Sequence, residues 1–391
     1  MPQISQRSGM FTESVIRRMT RVADSVGAIN LSQGFPDFDP PKALMESLAQ
    51  AAFAGPHQYE ITYGAAAFRQ ALAEKQGHAI GRDIDPETEV VVTCGATEAM
   101  ICAMLGVINP GDKVAVFSPF YENYGADAII AGAETLFVPL APPDYAVDWQ
   151  ALEAAFVQGA KALVVCNPSN PSGKVFTAEE LNQIGALAKR YDAWVITDEV
   201  YEHIVYAPYT HVRLSALPGM WDNCLTVSSL SKTYSITGWR LGYLIGPAQA
   251  VEAARKVHDF LTVGAAAPLQ AAALPGLKAG PEYYQSLQEL YTGKRQIFLE
   301  GLSAIGIPHT APQGSYFVMA DISHFLKKPQ LKGFTDLAFC EYVAREFGVA
   351  AVPGSSFFSG DKETGLIRLH FARSEESLYE AIKRLGRLND L

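Results

Sequence analysis

Short apolar, β-branched runs recur through the middle of this chain. They fall at Val90–Thr93, Lys113–Phe117, Thr135–Leu140, Ala162–Cys166, Trp194–Thr197, Leu225–Ser228 and Leu241–Ile245. They are near-continuously apolar, the pattern of strands covered on both faces. Several intervals between them carry a helical period: over Thr177–Tyr191, Leu181, Ile184, Leu187 and Ala188 share one face. The alternation predicts an α/β fold, with helices on both sides of a mostly parallel seven-stranded sheet. The last interval differs. Ser228 and Leu241 lie too close for a right-handed crossover helix, so the last strand is expected to run antiparallel.

The pattern changes near residue 276. Pro281–Leu302 reads as one long helix, and a mixed α+β region follows, with strands near Tyr316–Asp321 and Leu366–Phe371. Pro275-Gly276 reads as the boundary between a large unit, 41–275, and a smaller α+β unit made from 1–40 and 276–391. No repeat, low-complexity tract or long polar linker interrupts either part.

Composition narrows the function classes. With 391 residues, 49% hydrophobic and 18% charged, the chain has a globular profile. A net charge of −10 opposes binding to nucleic acid or an anionic membrane. An anionic ligand would need local donors that override this field. The apolar stretch Ala265–Leu277 is short and carries Pro268 and Pro275, so it is not expected to span a bilayer. The first residues are charged with no apolar run after them; a signal peptide is not expected, and the cytoplasm is the expected location. Cys94, Cys102, Cys166, Cys224 and Cys340 form no C-x-x-C pair and are expected to be free thiols. No H-E-x-x-H or Cys/His cluster predicts a metal.

Ligands of α/β sheets bind beyond the carboxyl ends of the strands, and the unusual polar residues fall there. Asp198 follows the run AWVIT. A carboxylate so placed is desolvated and needs a partner: a helix N-terminus, a buried cation, or the cationic nitrogen of a ring. Tyr201 would aim a phenol at the same place. Lys232 stands in SSLSKTYSITGWR, crowded by small residues after a buried strand. A desolvated lysine near another cation becomes nucleophilic towards carbonyls. The turn GATEAM (95–100) opens a helix whose free N–H groups suit a phosphate, with Thr97 adding a hydroxyl and Ser229 and Arg240 able to complete the set. Asn170, in NPSNPSG, either shapes a turn or donates to a ligand oxygen. Tyr121 is either a core aromatic or a face for a flat ring. Together these residues predict one ligand, pyridoxal phosphate: flat, with a ring nitrogen, an oxygen substituent, a phosphate and a carbonyl for a lysine.

The same residues resemble fold-type I aminotransferases of the class I/II group, in order and in spacing, from QGFPDF (33–38) to LIRLHFA (366–372). The resemblance implies that Lys232 is the Schiff-base lysine and proton shuttle, and that Asp198 pairs with the pyridine nitrogen. It implies that Tyr201 and Asn170 contact the ring oxygen and that Tyr121 stacks on the ring. Ala96, Thr97, Ser229 and Arg240 would hold the phosphate. Tyr59, five residues before Gly64, would reach the neighbouring subunit's phosphate, which implies a homodimer. Arg368 would clamp the substrate α-carboxylate, with Gly34 beside it. QGFPDF and SKTYSITGWRLGY look most like the methionine, kynurenine and glutamine-phenylpyruvate aminotransferases. This implies a methionine, aromatic or kynurenine-like donor and a 2-oxo acid acceptor. At TVGAAAPLQAA (262–272) the chain departs from that branch, with small residues at 264–267.

Three rival readings compete with this one. A carbon–sulfur β-lyase would use the same lysine, aspartate and phosphate site. A Ser-x-x-Lys hydrolase built on 229–232 would also need S-D-N and K-T-G, and neither occurs. A cofactor-sensing regulator would need a basic DNA-binding module that this chain lacks.

Overall fold

In the computed structural model, which describes residues 2–11, 13–360 and 363–391, all seven apolar runs are strands of one sheet. Numbered along the whole chain, they are β2 (Val90–Thr93), β3 (Lys113–Ser118), β4 (Glu134–Ala141), β6 (Ala160–Cys166), β7 (Trp194–Asp198), β8 (Cys224–Ser229) and β9 (Gly242–Ile245). An eighth strand, β5 (Ala146–Val147), corrects the expected seven: it folds back antiparallel on the end of β4. The sheet order is β2-β9-β8-β7-β6-β3-β4-β5.

The short interval after β8 has the expected result. Strand β9 runs antiparallel between β8 and β2. Thr93, Ser229 and Gly242 therefore lie in register along one edge, with Cys166 and Asp198 paired beside them. That edge collects the carboxyl ends of the parallel strands, and Arg240 stands just before β9 at the same edge.

Helices cover both faces. The amphipathic helix Ala178–Arg190 starts at a capping box, with the Thr177 hydroxyl accepting from Glu180 N–H and the Glu180 carboxylate accepting from Thr177 N–H. Pro275 and Gly276 do not lie in a linker. They lie inside the helix Ala267–Leu277, where Gly276 packs closely against Leu44 and Tyr234.

After that helix comes the long one, Pro281–Ala304. Strands β10 (Phe317–Asp321), β12 (Val352–Pro353) and β13 (Leu366–His370) form an antiparallel sheet with β13 in the middle. Strands β1 (Ile29–Asn30) and β11 (Val349–Ala350) pair in parallel. Met19, Val22 and Leu31 share one hydrophobic core with Phe298, Phe339 and Leu378, so the first helix, Val15–Val26, packs on the C-terminal elements. All five cysteines are free. No helix among the described residues is long and apolar enough to cross a membrane.

Candidate active site

A cavity of about 500 Å³ opens at the strand-end edge. It is lined by Gly34, Ala96, Thr97, Tyr121, Asn170, Asp198, Tyr201, Ser229, Lys232, Arg240 and Arg368. Of the residues singled out from the sequence, only Tyr59 is elsewhere: it is 89% exposed and does not line the cavity.

Lys232 follows β8, and its Nζ donates to the Gly34 carbonyl at 2.8 Å. Burial pushes its pKa down to about 8, helped by the charges of Arg240 and Arg368 and opposed by Asp198. Asp198 ends β7. Burial raises its carboxyl to about 6, against the Tyr124 hydroxyl that donates to Oδ2 at 2.8 Å, the Val200 N–H and the Lys232 charge. The two groups thus have their proton affinities brought to within reach of neutral pH, a signature of sites that move protons.

Arg368 is on β13, the middle strand of its sheet, and is almost wholly buried. Its guanidinium lies over the Phe317 ring at 4.1 Å and the Phe357 ring at 4.7 Å. Nη1 donates to Asn170 Oδ1 at 2.7 Å and Nη2 donates to the Ser32 carbonyl. Nε has no partner among the described residues, nor has Ser231 Oγ, and both residues line the cavity. A buried donor without an acceptor is costly unless a ligand satisfies it.

The other end of the cavity suits an anion. The helix Ala96–Val107 points its first turn there, with Gly95 as N-cap at φ +84°, a conformation that favours glycine. Arg240 is itself in the left-handed region, at φ +55°, with Nη1 on the Thr237 carbonyl and Nη2 on the Cys94 carbonyl. A non-glycine held in that conformation beside a cavity is strain placed where a ligand is bound. Lys232, Arg240 and Arg368 make the cavity cationic within an anionic chain.

Some cavity residues carried no signal in the sequence. Tyr124 looks like a core aromatic of an apolar helix, yet it bonds Asp198 and meets Tyr121 edge-on at 5.8 Å. Ile16 and Arg17 line the cavity from the N-terminal segment, as does Gln33 of the QGFPDF motif. Phe35, which the QGFPDF motif does signal, lines the cavity as well; Phe357, an aromatic the sequence also offers for the pocket, lies against the Arg368 guanidinium and does not line it.

Comparison with known proteins decides what this arrangement belongs to. The family model "Aminotransferase class I and II" matches residues 26–385. The chain belongs to that family. The methionine aminotransferase of Escherichia coli (strain K12) is 35% identical, over 96% of each chain. Kynurenine–oxoglutarate transaminase 3 of Mus musculus is 34% identical, over 92% of this chain and 84% of the mouse protein. The solved structure of N-succinyldiaminopimelate aminotransferase from Mycobacterium tuberculosis superposes with a TM-score of 0.92 at 36% identity, covering 99% of this chain and all of that one. This aminotransferase is a pyridoxal-phosphate enzyme that moves an amino group between an amino acid and a 2-oxo acid. Its cavity fits the cofactor: a lysine for the carbonyl, a carboxylate for the ring nitrogen, and N–H groups with an arginine for the phosphate.

Proposed function

We propose that this aminotransferase takes a methionine, aromatic or kynurenine-like L-amino acid as donor and works as a cytoplasmic homodimer. The observation that carries the site assignment is the meeting of Lys232, Asp198, Asn170, Arg240 and Arg368 in one cavity from four separate segments of the chain, Lys232 and Arg240 sharing the β8–β9 connection. Ile16, Phe35, Tyr121 and Phe317 give that cavity an apolar side suited to a sulfur-containing or aromatic side chain. The identity to methionine and kynurenine enzymes supports the same donor class. In the same reading, 41–275 is the cofactor-binding unit, and 1–40 with 276–391 is a smaller unit.

Bound pyridoxal phosphate supplies a carbonyl for the amine and an electron-accepting ring. The chain supplies the rest. Gly95–Thr97, Ser229 and Arg240 hold the phosphate, Tyr121 covers the ring, and Asn170 and Tyr201 face its oxygen. Asp198 sets a negative charge against the ring nitrogen and keeps it protonated. Arg368 grips the α-carboxylate of the amino acid with its planar fork, Nε included, and Gly34 bounds that carboxylate's seat. Lys232, with a pKa near 8, has a fraction of neutral amine at neutral pH and takes the proton from the substrate Cα. Tyr59 leaves the surface to complete the partner's phosphate site, and exposed Ile61, Phe260, Leu261 and Val263 offer an apolar face for that partner.

A panel of amino donors (Met, Phe, Tyr, kynurenine, Gln, Asp) against several 2-oxo acids tests the donor class. Preference for aspartate would overturn it, as would ammonia and thiol release without an acceptor. Lys232→Ala tests the site: transamination and the visible absorbance of bound cofactor are both expected to vanish. Retention of either sinks the assignment of Lys232.

A further inference from the structure

The helix Ala96–Val107 turns Ala96 and Thr97 towards the cavity, while Glu98 is buried behind them. Glu98 Oε2 accepts from the Cys94 N–H. Its Oε1 accepts from His258 Nδ1 at 2.8 Å and from the Thr262 hydroxyl at 2.6 Å. His258 is 0% exposed, and its second ring nitrogen, Nε2, lies 2.8 Å from the Thr62 carbonyl oxygen. A carbonyl only accepts, so Nε2 carries a proton; the carboxylate favours another on Nδ1. The surroundings therefore hold the ring as an imidazolium. Burial opposes that charge, but the bonds from Glu98 and Thr62 outweigh it and raise the His258 pKa.

Thr62 belongs to the loop that carries exposed Tyr59 and Ile61. The small residues that set 264–267 apart pack on the same loop. A Cβ added at Gly264 would stand 3.3 Å from the Thr62 carbonyl, and Gln270 ties Ala65 N–H to the Ala265 carbonyl through two bonds of 2.8 Å. The ligand atoms of Glu98, Cys102 and His258 lie within 4.8 Å of one another. Both imidazole nitrogens are committed to oxygen acceptors, however, and burial holds the Cys102 thiol far above its usual range. The cluster has the bonding of a clasp, not of a metal site.

We propose that Glu98 and His258 are positioning residues for the cofactor phosphate. They clasp the Gly95–Thr97 turn to the loop 59–64, so that one buried ion pair sets both the seat of the phosphate in its own subunit and the exit of Tyr59 towards the partner's. This rests on the reading of Gly95–Thr97 and Arg240 as the phosphate cradle.

The test is to titrate cofactor-free protein with pyridoxal phosphate and, separately, with pyridoxal. In Glu98→Gln the affinity for pyridoxal phosphate is expected to fall roughly tenfold or more, the order of one charge-assisted hydrogen bond. The affinity for pyridoxal, which has no phosphate to seat, is expected to stay within about twofold of the unsubstituted protein, well inside that same hydrogen-bond magnitude. Thr262→Val removes one of the contacts to Glu98 and gives a smaller loss in the same direction. An equal loss for both ligands in folded Glu98→Gln overturns the clasp, as does no loss for either. Should Glu98→Gln not fold, an unchanged ratio of the two affinities in Thr262→Val overturns it. Arg240→Gln separates the cradle from the clasp. A ratio unchanged by Arg240→Gln removes the cradle itself; a ratio that collapses there but not in Glu98→Gln removes the clasp alone.

Discussion

Asp198 is a residue whose placement works against the stability of its own fold. Burial carries its carboxyl from an ordinary 3.8 up to about 6. The folded value lies above the unfolded one, so its burial costs nothing below about pH 4 and the full amount above about pH 6. A shift of that size corresponds to on the order of 3 kcal/mol. Cofactor-free Asp198→Asn is therefore expected to be more stable than the unsubstituted protein at pH 8, by on the order of 1–3 kcal/mol. The advantage should shrink as pH falls from about 6 towards 4. Denaturant midpoints across that range would check it, and a difference that does not change with pH would rule out the buried carboxylate charge as its source. At this scale the sequence was informative through coincidence: a carboxylate, a lysine or an arginine near a strand end has ordinary structural uses singly, but their recurrence at neighbouring strand ends does not. It was silent on Tyr124, because a phenol in an apolar helix looks the same whether or not its hydroxyl finds Asp198.

Among the elements, the segment 32–35 is the one on which several contacts converge. The Gly34 carbonyl accepts from both Lys232 Nζ and the Tyr316 hydroxyl, each at 2.8 Å. A Cβ at Gly34 would meet the Phe317 ring at 2.5 Å, closer than packed atoms tolerate. Gly34→Ala is expected to displace the segment and with it the lysine's acceptor, lowering kcat/KM by roughly 10- to 100-fold. An unchanged kcat/KM in a folded variant would show that the segment positions nothing. The seven sheet strands were legible because continuous apolar runs of their length have few alternatives in an α/β chain. Strand β5 was not, since two residues carry no period. Pro275-Gly276 differs in its local conformation. The pair is a local turn signal, but the close approach of Gly276 to Leu44 and Tyr234 keeps the chain helical to Leu277.

For the molecule as a whole, two surfaces of opposite character matter. The net charge is −10, yet the cavity gathers cations, so an anionic cofactor is drawn inward by local charge against the field of the rest. Away from the cavity, Phe260 is 91% exposed near Val263, and Tyr59 and Ile61 lie on the loop that His258 touches. Phe260→Glu is expected to shift the protein towards monomer in sedimentation velocity, and to weaken cofactor binding along with it. A monomeric unsubstituted protein, or a variant that stays dimeric at micromolar concentration, would refute the proposed interface. The pairing of residues 1–40 with the C-terminal elements was only faintly legible. Met19 and Leu31 read as ordinary apolar positions, and their core partners, such as Phe339, stand hundreds of residues away.

The anion end of the cavity has a consequence for descent. A side chain at Gly242 would collide with the Gly95 backbone, and one at Gly95 would collide with the Arg240 guanidinium. At Gly242 the obstacle is backbone, and at Gly95 the φ of +84° adds strain to any side chain, so neither glycine is readily replaced. The N-terminal lining is different: Ile16, Arg17, Gln33 and Phe35 face the cavity but are not part of that turn. Descent thus has more freedom in the wall built from the N-terminal segment than in the wall where Gly95 and Gly242 meet.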